Sequence, residues 1–148
     1  LGIIGHDRVM VSLAASHYTN KGIKDTHSLT ISIVDEAMLK KADYVGCVSV
    51  NKTDKSNVFS YTIGTTGAPI IDEAPVVMEC IIDDIYETEG FESFICKIEA
   101  VHADEAVIGE NGKIDYHLLK PVLFEMPTYE YLRTGDIIGK CMSFGTDA

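Results

Sequence analysis

Two stretches of alternating side chains, joined by a short turn, constrain this chain more than any other feature. In residues 76–86, Val76, Met78, Cys80 and Ile82 are apolar, with Glu79 and Asp83 between them. In residues 91–103, Phe94, Cys96, Ile98 and Ala100 are apolar, with Lys97 and Glu99 between them. A period of two sends neighbouring side chains to opposite faces, so each stretch reads as a strand with one inward face. Thr88-Glu89-Gly90 supplies the loop of a long antiparallel hairpin. Its inward faces predict a core in which Cys80 and Cys96 meet as packing thiols, not redox partners.

The rest of the chain supplies shorter elements of the same kind. Val9, Val11 and Leu13 alternate with Met10, Ser12 and Ala14, and Leu29, Ile31 and Ile33 alternate with Thr30 and Ser32. Between them the spacing predicts a short helix capped by Thr19, or by Asn20, and ending near Thr26. Asp35 is placed to cap a second helix with Met38, Ala42 and Val45 inward, Leu39, Lys40 and Lys41 outward, and Gly46 as its stop. Residues 62–67 are rich in glycine and threonine, and residues 68–75 form a connector bracketed by proline. Further strands are predicted at 106–108, 122–124 and 135–142, with a one- to two-turn helix capped by Asp115 and stopped by Pro121. Short strands with hairpin and glycine turns predict a mainly antiparallel β-barrel with short helices, not a doubly wound sheet. There is no G-x-G-x-x-G, so a nicotinamide would be bound without a Rossmann domain.

Three stretches are candidates for function. The first is the polar turn Ser16-His17-Tyr18-Thr19-Asn20-Lys21, which lies between a buried strand and a helix. It brings hydroxyls, an imidazole, an ammonium and free helix amides to one place, which suits an anion. The alternative makes Ser16 and Thr19 simple caps. The second is residues 47–60, where Asp54 is placed to cap a short helix through Phe59 and Lys55 points where that helix N-terminus points. The third is residues 127–133, whose Tyr129 and Tyr131 stand with Phe124 either as a ring cover or as strand and interface packing.

Charge and cysteine usage narrow the partners. Residues 1–60 carry seven Lys/Arg against six Asp/Glu, while residues 61–148 carry five against seventeen. So acidic a chain repels nucleic acid and anionic membrane, and only the first sixty residues leave room for an anionic ligand. Cys47, Cys80, Cys96 and Cys141 form no C-x-x-C, so neither a metal site nor a disulfide framework is expected. No apolar run approaches the roughly 18 residues of a membrane span, and no leader precedes the first strand, which predicts a soluble, cytoplasmic protein.

The segments GHDRVMVSLAASHYTNKGIKDTHSLTISI, LKKADYVGCVS and TDKSNVF together resemble the flavin reductase-like family of FMN-binding split β-barrels. The run from Ser16 to Ile23 and the Asp54-Lys55-Ser56 turn carry most of the likeness, which continues through APIIDEAPVVMEC and KIDYHLLKPVLF. The resemblance implies a single antiparallel FMN-binding split β-barrel domain over residues 1–148. It implies a cofactor site at Ser16, His17, Tyr18, Thr19 and Lys21, on the FMN phosphate and ribityl chain, with Lys55 as a second cation. It also implies a homodimer with the flavin near its interface.

Two departures accompany the likeness: the chain opens at Leu1 without the family's initial hairpin, and Arg8 stands where many relatives have proline. The function implied is an FMN-dependent flavin reductase taking hydride from NAD(P)H. The alternatives are a flavoredoxin-like electron-transfer protein with a redox partner protein, and a non-catalytic relative.

Overall fold

Thirteen-residue strands dominate the computed structural model, which describes residues 1–48 and 54–145. Strands β6 (Val76–Thr88) and β7 (Phe91–Ala103) form the predicted hairpin. Gly90 takes φ +83° in its turn, a conformation that only glycine adopts freely. The register shifts twice, between Glu79 and Cys80 and between Ile82 and Asp84, and such irregularities increase the local twist. Around this pair stand β1 (Gly2–Ile3), β2 (Arg8–Ala14) and β3 (Ser28–Ile33), in the antiparallel order β1-β2-β7-β6-β3.

The core follows from the alternation. Val9, Ile23, Leu29, Cys80, Phe94 and Cys96 form one buried cluster. Burial pushes the Cys80 thiol up to about 11 and that of Cys96 up to about 12, so both are packing groups with no thiolate to react. A smaller cluster joins Val76, Val107 and Leu119.

Helices α1 (Tyr18–Thr26) and α2 (Leu39–Cys47) follow β2 and β3, and α3 (Tyr116–Leu119) is capped by Asp115, whose carboxylate accepts from His117 N at 2.7 Å. No described helix is long and apolar enough to cross a membrane.

Several boundaries differ from expectation for local reasons. Asp35 does accept from Met38 N, at 2.9 Å, but Gly46 lies inside α2, which ends on Val48 in an extended conformation that needs no glycine. Asp54 accepts from Ser56 N at 2.9 Å and closes a turn only, so no helix forms before Phe59. Residues 49–53 of that candidate stretch lie outside the described residues. Asp104 likewise accepts from Ala106 N, which converts the expected strand at 106–108 into a 3-10 turn over Glu105–Val107. The glycine-rich segment and its connector pair as a hairpin of β4 (Tyr61–Ile63) and β5 (Pro69–Ile71). Residues 135–142 form no strand, whereas β8 (Val122–Glu125) and β9 (Glu130–Arg133) pair with each other.

Candidate functional site

The polar turn after β2 is closed by a backbone bond from His17 N to Ala14 O at 2.9 Å and tied to the β6–β7 turn by Ala15 N to Gly90 O at 2.9 Å. It closes sooner than expected: α1 begins at Tyr18 with His17 at the N-cap position, so Thr19 lies inside the first turn and is not the cap. Among the described residues no side chain caps this end, and no acid occupies its first turn. The first amides of a helix have no partner within it, and the helix dipole makes that end positive. The uncapped turn is therefore open to an anion.

Beside it lies a cavity of about 590 Å³, within the range of small-molecule sites. Val11 and Leu13 of β2, Ile23 of α1 and Ile31 of β3 give it apolar walls. Tyr18 and Thr19 line it at the first turn of α1, and Gly67, Ala68 and Pro69 close it from the β4–β5 hairpin. Ser28 also lines it, 3% exposed, with a buried Oγ that has no hydrogen-bond partner among the described residues. Ser16, His17 and Lys21 are exposed and stand outside this lining.

Lys55 occupies a second recess of about 350 Å³ with Phe59, Tyr61 and Pro69. Pro69 borders both spaces. The Lys55 ammonium donates to Val45 O at 2.5 Å and to Val48 O at 2.6 Å, a cation at the negative end of α2. The geometry thus brings Tyr18 and Thr19 to the larger cavity and holds Lys55 across Pro69 from it.

Two buried carboxylates next to these spaces escape a reading by alternation. Glu92 is 8% exposed and takes Asn20 Nδ2 at 2.6 Å and Lys24 Nζ at 2.5 Å. Lys24 and then Asn20 hold the Glu92 carboxyl below its ordinary value. The polar residues at 20 and 24, four apart on one helix face, were the available signal.

Glu79 is fully buried, although alternation places it on an outward face. Its Oε2 accepts from Thr66 N at 3.0 Å, Thr66 Oγ1 at 3.1 Å and Thr65 Oγ1 at 3.2 Å, and His102 Nε2 lies 2.7 Å from Oε1. The Thr66 amide, followed by His102, brings its pKa down to about 2. The β4–β5 hairpin covers that face, so the polar alternation there marks a second packed layer.

The aromatic candidates do not reach the cavity lining. Phe124 packs on Tyr129 and Tyr131, at centroid distances of 6.1 and 5.4 Å. Tyr131 OH donates to Asp43 Oδ1 at 2.7 Å and Arg133 makes a forked pair with Glu36, so this group fastens β8–β9 to the α2 region.

Known structures share this fold. Flavoredoxin from Methanosarcina acetivorans superposes with a TM-score of 0.93 at 30% identity, over 99% of this chain and 80% of that one. Flavoredoxin of Desulfovibrio vulgaris (Miyazaki F) gives 0.85 at 30% identity, over 93% and 75%. An FMN-binding protein from Thermus thermophilus gives 0.80 at 18% identity, over 95% and 78%, which shows a shared fold. No curated protein sequence matches the chain. The mainly antiparallel sheet with its short helices is the split β-barrel expected from the sequence. The sequence matches the family described as flavin reductase like domain over residues 4–131, and the chain belongs to that family.

Proposed function

We propose that this protein binds FMN in the cavity beside α1 and acts as a flavin reductase with NAD(P)H as co-substrate. The observation that carries this reading is the uncapped first turn of α1, where Thr19 adjoins a mostly apolar cavity large enough for a planar ring. The donor set suits the group: amides and the Thr19 hydroxyl for the phosphate, with Ser16, His17 and Lys21 on the same turn. Val11, Leu13 and Ile31 keep water from the ring. Bound FMN supplies hydride and electron chemistry that no side chain of the protein performs.

Lys55, held by two carbonyls beyond Pro69, is a fixed cation that favours negative charge accumulating at a ring edge. Assembly as a homodimer belongs to this reading, since Leu123, Phe124 and Leu132 are exposed on β8–β9.

Thr19→Ala and Ser16→Ala should each weaken FMN binding by roughly 1–3 kcal/mol, measured by titration against flavin fluorescence. Unchanged affinity in both would reduce them to turn residues. A second reading, electron transfer to a redox partner protein, is favoured by the two flavoredoxin structures and by the acidity of residues 61–148. NAD(P)H oxidation coupled to free flavin separates the two: turnover supports the reductase, and retained FMN without turnover supports the electron carrier.

A further inference from the structure

We propose that Glu79 is a positioning residue for the flavin site: its grip on the turn between β4 and β5 sets where the Gly67–Ala68–Pro69 wall of the cavity stands. The inference rests on the flavin reading and deepens it. Among the described residues the β4–β5 pair is a two-stranded sheet of its own, with no ladder to the five-stranded sheet. All three residues of β4 are exposed. Its place is therefore fixed by side-chain bonds and by the burial of Ala68, which is 3% exposed.

Two such attachments flank the wall. On one side Glu79 Oε2 collects the amide and hydroxyl of Thr66 and the hydroxyl of Thr65, while His102 approaches Oε1 from the neighbouring strand. On the other, Thr30 Oγ1 donates to Pro69 O at 2.5 Å. The turn is tight, closed by Gly64 N to Ala68 O at 2.9 Å and Gly67 N to Gly64 O at 3.1 Å. A displacement at Thr66 is thereby passed to Gly67, the next residue and the first of the wall.

The turn wraps directly onto the carboxylate. A Cβ at Gly64 would stand 2.3 Å from Glu79 Oε2 and 3.0 Å from Ile70 Cδ1, so no side chain fits there while the grip is closed. Glutamine at 79 would keep the shape but place a neutral acceptor under three donors, and charge-assisted bonds are about twice as strong as neutral ones. Because Pro69 borders both the main cavity and the Lys55 recess, a loosened wall changes the ring's surroundings as well as its affinity.

The test uses the full chain with Glu79→Gln, which weakens the grip, and Gly64→Ala, which pushes the turn away while leaving the carboxylate charged. Each should raise the FMN Kd about tenfold and shift the visible bands of bound flavin. Backbone amides at 66–68 should exchange faster, while those of Phe94 and Cys96 stay protected and show that the main sheet is intact. FMN Kd values within about twofold of wild type, with unmoved bands in both variants, would overturn the inference. A wild-type chain that binds no FMN overturns the flavin reading itself, and the positioning role of Glu79 with it.

Discussion

Glu92 and Glu79 are buried carboxylates near opposite ends of the β6–β7 hairpin, and each fastens one piece of the cavity wall by different chemistry. Glu92 holds α1 through an ammonium and an amide, Lys24 and Asn20. Glu79 holds β4–β5 through a backbone amide, two hydroxyls and an imidazole. The helix offers side chains at fixed spacing, so a charge partner can be aimed from it. A four-residue turn has little to offer beyond backbone and short hydroxyls, and a carboxylate is an acceptor strong enough to organise them. Neither carboxylate is left without donors, which is the condition for burying one at all.

Acid should have the largest effect, because it acts on both attachments. Each carboxyl has a lower pKa folded than unfolded, for Glu79 about 2 against an ordinary 4.5. Below the unfolded value the unfolded chain binds more protons, so the contribution of these groups is complete above that value and is lost as pH falls. For Glu79 the window runs from about pH 4.5 down to about pH 2. Urea midpoints should fall across it, and Glu79→Gln should flatten part of that fall. An unchanged slope in the variant would mean that folding does not lower the pKa of Glu79.

Asn20→Ala is the next perturbation and separates the two attachments. It removes the bonds to Glu92 at 2.6 Å and to Ala14 O at 3.2 Å and should cost roughly 1–3 kcal/mol in denaturant unfolding. Exchange at the Thr66 amide should not respond, since Glu79 and its partners are untouched. Faster exchange there would show that the two pieces of the wall are coupled.

The difference between the two attachments also explains what the sequence made legible. The β6–β7 hairpin, β2, β3 and the apolar cluster around Phe94 follow from period-two alternation, a local property. The same alternation misplaced Glu79, because a polar residue facing a covering hairpin looks identical in sequence to one facing water. The hairpin itself was hidden: Thr62 to Gly67 carries turn chemistry, and three-residue strands are too short to show a period. At the candidate site Thr19, expected as the helix cap, lies two residues past the actual N-cap position at His17 and lines the cavity. The buried Asn20 settled that local geometry through Glu92, seventy-two residues away, and no window of sequence contains such a contact.

Ser28→Ala should have the smallest effect and the opposite sign. Ser28 stands at the start of β3 in the lining of the cavity, and its hydroxyl is buried without a partner among the described residues. A buried hydroxyl that makes no hydrogen bond has lost its water and gained nothing in return, so removing it leaves no new group unpaired. Alanine retains the Cβ and opens a space of one oxygen, on a side already bordered by the cavity. The ligand-free variant should therefore be as stable as wild type or more stable, by up to about 1 kcal/mol in urea unfolding. A loss of stability larger than about 1 kcal/mol would mean that the hydroxyl is bonded in solution, and Ser28 would then be a further attachment of the cavity wall besides Glu79, Thr30 and Glu92.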